Sequence, residues 1–197
     1  CFCSKDDLQA AREEGHYQYP GTCQNLTDEG VKQRLNQGIG FTYRIRIPDG
    51  ETHYEDLIYG PITVNHGEVD DFIVVRSDGS PTYNFTAVID DHDMNITHVI
   101  RGEDHISNTP KQILLYQALG FDVPTFAHLP MILGPDKKRL SKRHGAAGIQ
   151  DFRDAGYSAD ALLNYMVMLG WNPGTEQEIF AREEMVAQFD IRKVQKK

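Results

Sequence analysis

Three stretches of the chain hold residues whose types and spacing suit chemistry. The segment GPDKKRLSKRHGA (134–146) packs Lys137, Lys138, Arg139, Lys142 and Arg143 into seven residues, between Gly134 and Gly145. Such a loop presents its cations as donors to a phosphate that gains negative charge in a transition state. It lacks the G-x-x-x-x-G-K-[ST] spacing and is not a P-loop. A solvated basic loop or a localisation run has the same composition, and charge alone leaves those readings open. The segment RGEDH (101–105) combines an Arg, two acids and a His, which suits carboxylate or phosphate binding or a structural ion pair. Finally, Cys1, Cys3 and Cys23 all fall within the first 23 residues. An odd, tight cluster makes a poor disulfide framework. Metal binding by thiolates in a reducing cytosol fits better. Zinc takes four ligands, and Tyr19 or His16 is the nearby fourth; spacing alone also permits ordinary thiols.

The basic loop is surprising in a chain with formal net charge −9. The acidic balance excludes nucleic-acid binding over the whole surface but not at a local basic site. The 197 residues suffice for one large domain or two small ones, and 40% hydrophobic with 25% charged residues is ordinary for a globular chain. No apolar run approaches a membrane span, and the opening residues lack a secretory signal pattern. The chain opens on CFCS without Met and closes on KVQKK, so both ends are expected to be cut from something longer.

The elements that position these residues change character along the chain. SKDDLQAAREEG reads as a helix with Ser4 as N-cap and Gly15 as stop, and TDEGVKQRLNQG as a second, from Thr27 to Gly38. FTYRIRI (41–47) alternates like a half-buried strand, PDG (48–50) turns, and FIVVR (72–76) is a short apolar strand. Up to about residue 80 this is an α+β unit with antiparallel pairing. Beyond it, Tyr83, Ala87 and Val88 suit one helical face, 96–101 a strand, and SNTPKQILLYQALG a helix with Pro110 in its first turn and Gly120 at its end. A strand over about 127–133 follows. Strands alternating with helices imply a parallel sheet. Ligands bind beyond the carboxyl ends of such strands, which puts RGEDH and the basic loop on one sheet edge. The last fifty residues read as helices: GIQDFRDAG, SADALLNYMVMLGW with Ser158 as N-cap, and AREEMVAQF.

PDKKRLSKRHGA resembles the KMSKS loop of class I aminoacyl-tRNA synthetases, in the form used by bacterial glutamyl-tRNA synthetases. RSDGSPTYNFTAVIDDHDMNITHVIRGEDHISNTPKQILLYQALG is similar to the segment that precedes that loop in those enzymes. The resemblance implies an α/β fold: the second half of a Rossmann-type parallel sheet, an α+β acceptor-binding insertion before it and a helical stem-contact region after it. It assigns 1–80 to the acceptor-stem insertion with a zinc site, 81–145 to the catalytic half-domain ending in the KMSKS-type loop, and 146–197 to part of the stem-contact domain. It implies glutamate–tRNA ligase activity with ATP, Mg²⁺, L-glutamate and tRNA(Glu), in a cytoplasmic monomer without membrane association. Lys142 matches the second Lys of KMSKS, Arg139 replaces the first, and Ser141 keeps its place. Arg101 matches the Arg that holds the glutamate side-chain carboxylate, and Tyr83 a substrate-contacting Tyr. Asp104 and His105 match ATP contacts, and Met131 and Ile132 the backbone that holds adenine. The resemblance supplies Tyr19, four residues before Cys23, as the fourth zinc ligand with Cys1, Cys3 and Cys23; the alternative His position holds Asn25. No HIGH-type motif is present, so the chain alone is expected not to activate glutamate efficiently. The competing readings are the paralogue that glutamylates queuosine in tRNA(Asp), a glutaminyl-tRNA synthetase, and a non-catalytic zinc-stabilised tRNA-binding module.

Overall fold

The structure, a computed structural model, describes residues 1–13, 18–133 and 148–196. The backbone forms two compact units that interleave along the chain. One comprises Cys1–His53, Thr63–Ile96 and Ser107–Val123; the other Tyr54–Ile62, Thr97–Ile106 and Pro124–Lys197.

In the first unit, helix α1 (Lys5–Glu13) begins with a reciprocal cap. The Ser4 amide donates to the Asp7 carboxylate at 2.7 Å, and the Asp7 amide donates back to Ser4 Oγ at 3.1 Å. Helix α2 (Asp28–Asn36) is capped by Thr27, whose hydroxyl accepts from the Gly30 amide at 3.2 Å. Gly30 therefore sits in the first turn, where the cap holds its backbone. Strand β1 is only Tyr43–Arg44, paired antiparallel with β4 (Ile73–Val75), with a register shift between its two residues. The strand expected over 41–47 stops short because Asp71 interrupts the ladder. Ile45 still donates to the Phe72 carbonyl at 3.1 Å, but the Ile47 amide goes to the Asp71 side chain at 2.8 Å and Arg44 Nη1 to the Asp71 carbonyl at 2.6 Å.

Helices α3 (Tyr83–Asp93) and α4 (Thr109–Leu119) pack on each other. Val88, Ile113, Leu114, Leu115 and Tyr116 are buried and form much of this unit's apolar interior. Gln112 donates to Asn84 at 3.2 Å and Tyr116 to Asp91 at 3.3 Å, so these two buried polar side chains are satisfied. Asn108 makes no side-chain cap bond, because its backbone is already helical as it leaves a 3₁₀ turn (Glu103–Asn108). Gly120 ends α4 at φ 71°, the left-handed conformation that favours glycine.

In the second unit, β5 (His98–Gly102) and β6 (Thr125–Leu129) run parallel, in register from His98 opposite Thr125 to Gly102 opposite Leu129. A hairpin unforeseen in the sequence, β2 (Glu51–Asp56) and β3 (Gly60–Asn65), extends the sheet to the order β3-β2-β6-β5, with Asp56 opposite Phe126 in parallel. Residues 54–62 of that hairpin belong to this unit. Helices α5 (Ile149–Asp154), α6 (Ala159–Met168) and α7 (Arg182–Gln188) follow, α6 capped by Ser158, which accepts from the Ala161 amide at 3.2 Å. Ile58, Ala127, Trp171 and Val194 form one core cluster with Val167, Met168 and Ile191 against it. No helix among the described residues is long and apolar enough to cross a membrane.

Phe126 links the sheet to its charged end. It is 2% exposed, meets the Tyr54 ring edge-on at 6.1 Å, and lies under the Arg101 guanidinium at 5.6 Å. Phe126→Ala is expected to destabilise the fold by about 3–5 kcal/mol, through lost burial and the cavity left behind. Urea unfolding followed by tryptophan fluorescence measures this; a loss near zero would show that the site collapses freely.

Candidate functional site

The parallel pair β5–β6 delivers two segments to one sheet edge: Arg101–His105, which closes β5 and continues beyond it, and Pro130–Ile132 after β6. Both are cross-linked through the turn of the β2–β3 hairpin.

The first link runs through Asp56. Its Oδ1 accepts from the amides of Ile58 at 3.0 Å, Tyr59 at 2.9 Å and His128 at 3.3 Å, and its Oδ2 lies 2.6 Å from His128 Nδ1. Both side chains are fully buried. Arg101 Nε donates to His128 Nε2 at 3.1 Å. An Arg nitrogen only donates, so Nε2 must be the acceptor and Nδ1 carries the proton toward Asp56. Burial holds His128 below the ordinary His range, against the pull of Asp56 and with help from Arg101 and His105. Burial pushes Asp56 up, but the bonds from Tyr59, His128 and Ile58 outweigh it and keep its carboxyl below the usual range. The resting chain is thus an aspartate, a neutral imidazole and a guanidinium.

The second link runs through Glu103. Its carboxylate accepts from the Tyr59 hydroxyl and, at 2.9 Å, from the Met131 amide. The Tyr59 bond first, then the Met131 amide, hold Glu103 below the usual carboxylate range. Burial and the neighbouring Glu103 push Tyr59 up to about 12. One acid thereby ties the loop after β5 to the backbone after β6. Beside Met131 and Ile132 opens an apolar cavity of about 240 Å³, lined also by Leu129, Met166, Trp171 and Phe189. A Cβ at Gly102 would come within 2.5 Å of the Asp104 carboxylate, so a larger residue there displaces that side chain.

Of the residues expected at the site, Arg101, Asp104, His105, Met131 and Ile132 share this unit, as the parallel register requires. Tyr83 opens α3 in the other unit and is 54% exposed. Arg139, Ser141 and Lys142 lie outside the described residues. The reading of the sequence missed Asp56, Tyr59, Glu103 and His128 as partners. A signal existed for His128: it is a polar residue inside the apolar strand TFAHL. None existed for Asp56, whose role depends on which strand lies beside it.

In the first unit, Cys1, Cys3 and Cys23 bring their sulfurs within 4.8 Å of one another. Cys3 Sγ lies 3.6 Å from Cys23 Sγ, and all three thiols are free. Tyr19 joins them: its hydroxyl is 3.4 Å from Cys1 Sγ and 4.0 Å from Cys3 Sγ. Its backbone is anchored by Asp70 at 2.8 Å, and Arg44 covers its ring at 4.3 Å. Burial pushes the Cys3 thiol and the Tyr19 phenol up. Burial also opposes Cys23 ionisation, but the Phe2 amide and the bonds from Cys3 and Tyr19 draw its thiol down. Three sulfurs and one phenol oxygen around a common point form a donor set that suits tetrahedral zinc. His16 lies outside the described residues.

The tRNA synthetases class I (E and Q), catalytic domain, match this chain over residues 1–197. The chain belongs to that family. Similar members include the glutamate–tRNA ligase of Pelobacter propionicus, 54% identical over 98% of this chain and 41% of its own, and that of Coprothermobacter proteolyticus, 48% identical over 98% and 43%. Among solved structures, the glutamate tRNA ligase from Elizabethkingia meningosepticum in complex with its amino acid is 35% identical, with a TM-score of 0.84 over 98% of this chain and 45% of that one. The chain therefore spans about two fifths of the length of these synthetases. Its mixed sheet with flanking helices is the Rossmann-like catalytic fold of the family.

Proposed function

We propose that this chain carries part of the active site of a glutamate–tRNA ligase. The observation that carries the reading is Arg101, held at the carboxyl end of β5 by a buried, neutral histidine. A guanidinium there matches the side-chain carboxylate of glutamate in a bidentate fork, and an amide substrate gains much less from it. Tyr83 contacts the same substrate. Asp104 and His105 meet ATP, and the Met131–Ile132 backbone, steadied by Glu103, holds adenine beside the apolar cavity.

Within the family fold, residues 1–80 serve as the acceptor-stem insertion, 81–145 as the second half of the Rossmann domain with its KMSKS-type loop, and 146–197 as part of the helical stem-contact domain. A carboxylate oxygen of glutamate attacks the α-phosphorus of ATP. The bond to the bridging oxygen breaks and pyrophosphate leaves. The terminal ribose hydroxyl of tRNA(Glu) then attacks the acyl carbon and AMP departs. This is catalysis by positioning and charge stabilisation. Lys142, with Arg139 and Ser141, neutralises the departing pyrophosphate. Mg²⁺ bound to ATP would screen its phosphates. Cys1, Cys3, Cys23 and Tyr19 hold Zn²⁺ as a structural tie. The enzyme works as a cytoplasmic monomer.

Pyrophosphate exchange tests this reading, run on the chain alone and on the chain joined to a HIGH-bearing segment ahead of Cys1. The joined protein is expected to exchange with L-glutamate, and the isolated chain hardly at all. Lys142→Ala should slow the joined protein by about 10²–10³, the usual loss for one well-aimed donor. Acceptor-stem RNA binding with no response to ATP or glutamate would favour a tRNA-binding module instead. Strong exchange by the isolated chain would show that the missing motif is dispensable.

A further inference from the structure

Outside the substrate contacts, Asp56 and His128 form a buried pair with no direct place in the chemistry above. Both side chains are 0% exposed, and a buried charged pair is costly unless something fixes it there. Among the described residues, His128 Nε2 carries the pair outward, accepting from Arg101 Nε at 3.1 Å. We propose that Asp56 and His128 are positioning residues for Arg101: they lock its guanidinium plane, so that an arriving carboxylate meets a preset pair of Nη groups.

The physical reasons follow from the donors. Asp56 is held by three backbone amides, two from its own turn and one from β6. It therefore cannot swing. It accepts the Nδ1 proton of His128, and this fixes both the ring and its tautomer, as an orienting acid fixes a His in other sites. The lone pair of Nε2 then meets Arg101 Nε–H and orients the guanidinium, whose Nη2 also lies 3.5 Å from the His105 carbonyl. The Phe126 face beneath, 5.6 Å away, restrains the same group from one side. A guanidinium fixed in this way loses less freedom when it binds, so more of the interaction appears as affinity.

The device works only with a neutral imidazole. Protonated His128 would turn an N–H toward the Arg101 N–H and set two cations together. Among the described residues, the charged or titratable groups facing His128 are Asp56 from β2, Arg101 from β5 and His105 from the turn after β5. Two of them disfavour the proton, as does burial. The lock should therefore hold at neutral pH and release only below the ordinary His range.

The proposal takes the carboxylate from the glutamate reading, but its geometry is tested separately. Nitrogen-15 NMR of the labelled chain reads the His128 tautomer, and relaxation of Arg101 Nε–H reads its motion. The expected result is an Nδ1–H tautomer and a rigid Nε–H that becomes mobile on acidification, with no substitution needed. In His128→Phe, Nε–H should be mobile at neutral pH; His128→Gln retains a carbonyl acceptor and should restore part of the rigidity. In the joined protein, calorimetric L-glutamate affinity should fall roughly tenfold in His128→Phe and less in His128→Gln, with ATP affinity unchanged, the scale expected for one hydrogen bond to a charged group. An Nε2–H tautomer, or an Arg101 equally rigid without the histidine or its neutral form, overturns the proposal. A joined protein that shows the expected NMR signature but does not bind L-glutamate supports the lock and overturns the glutamate reading.

Discussion

Arg101→Leu in the joined protein is expected to abolish glutamate-dependent exchange while leaving ATP binding intact. A carboxylate forked on a guanidinium makes two charge-assisted hydrogen bonds, each worth about 1.5–3 kcal/mol. Losing both costs about 3–6 kcal/mol, or roughly 10²–10⁴ in kcat/KM for glutamate, since about 1.4 kcal/mol is a factor of ten. The effect should fall on glutamate and spare ATP, whose expected contacts are Asp104, His105 and the Met131–Ile132 backbone. Arg101→Lys is the sharper comparison. It keeps the charge but removes the fork and the Nε–H that meets His128 Nε2. We expect it to recover only a minor part of the loss. Glutamate and ATP KM values from pyrophosphate exchange separate the two substrates. Equal glutamate kinetics in the wild type and Arg101→Leu would remove Arg101 from the site.

Metal removal should have the next largest effect, in the other unit. Purified chain should contain near one zinc per molecule, and chelation should loosen residues 1–25. Structural zinc in small peptide sites is worth about 10–16 kcal/mol in apparent binding energy, and much of that is folding energy. Here the segment is also tied down without metal: the Cys1 backbone nitrogen donates to the Thr42 carbonyl at 2.8 Å, the Thr42 amide donates to the Cys1 carbonyl at 2.9 Å, and Tyr19 is held by Asp70 at 2.8 Å. The loss should accordingly stay local. Hydrogen exchange should show protection falling across 1–25 and unchanged over 97–129. Cys23→Ser should be among the most damaging single changes, because Cys23 Sγ also accepts the Phe2 amide at 3.3 Å. Zinc affinity should drop as pH falls, since thiols and phenol must shed protons to bind. A metal-free chain with residues 1–25 fully protected would end the zinc reading.

Much of the fold was legible because local signals agreed with tertiary demands. Helix α4 had Pro110 in its first turn, an apolar body and Gly120 at its end, and all three survive in the structure. Helices α2 and α6 were marked by Thr27 and Ser158, which do cap them. The β2–β3 hairpin escaped for a specific reason. The inward positions of β2 include Thr52 and Asp56, buried polar residues, so its binary pattern shows no apolar face. The strand over 41–47 was over-read because alternation cannot reveal that an Asp71 side chain will take a ladder position.

The sequence by itself determined the family and the cysteine cluster, and it singled out the Arg101–His105 segment as the proposed place for chemistry. These rest on residue identity and spacing along one strand of chain, which folding does not alter. Only the tertiary structure decided what holds Arg101 and Met131. Asp56 and His128 are 72 residues apart, and Tyr59 and Glu103 are 44 apart. Those pairs depend on β2 lying parallel beside β6 in one register. A slip of one residue would turn Asp56 to the other face of the sheet. No local propensity encodes that choice; it follows from burying Ile58 and Ala127 with Trp171 and Val194 on one face of the sheet and Phe126 on the other.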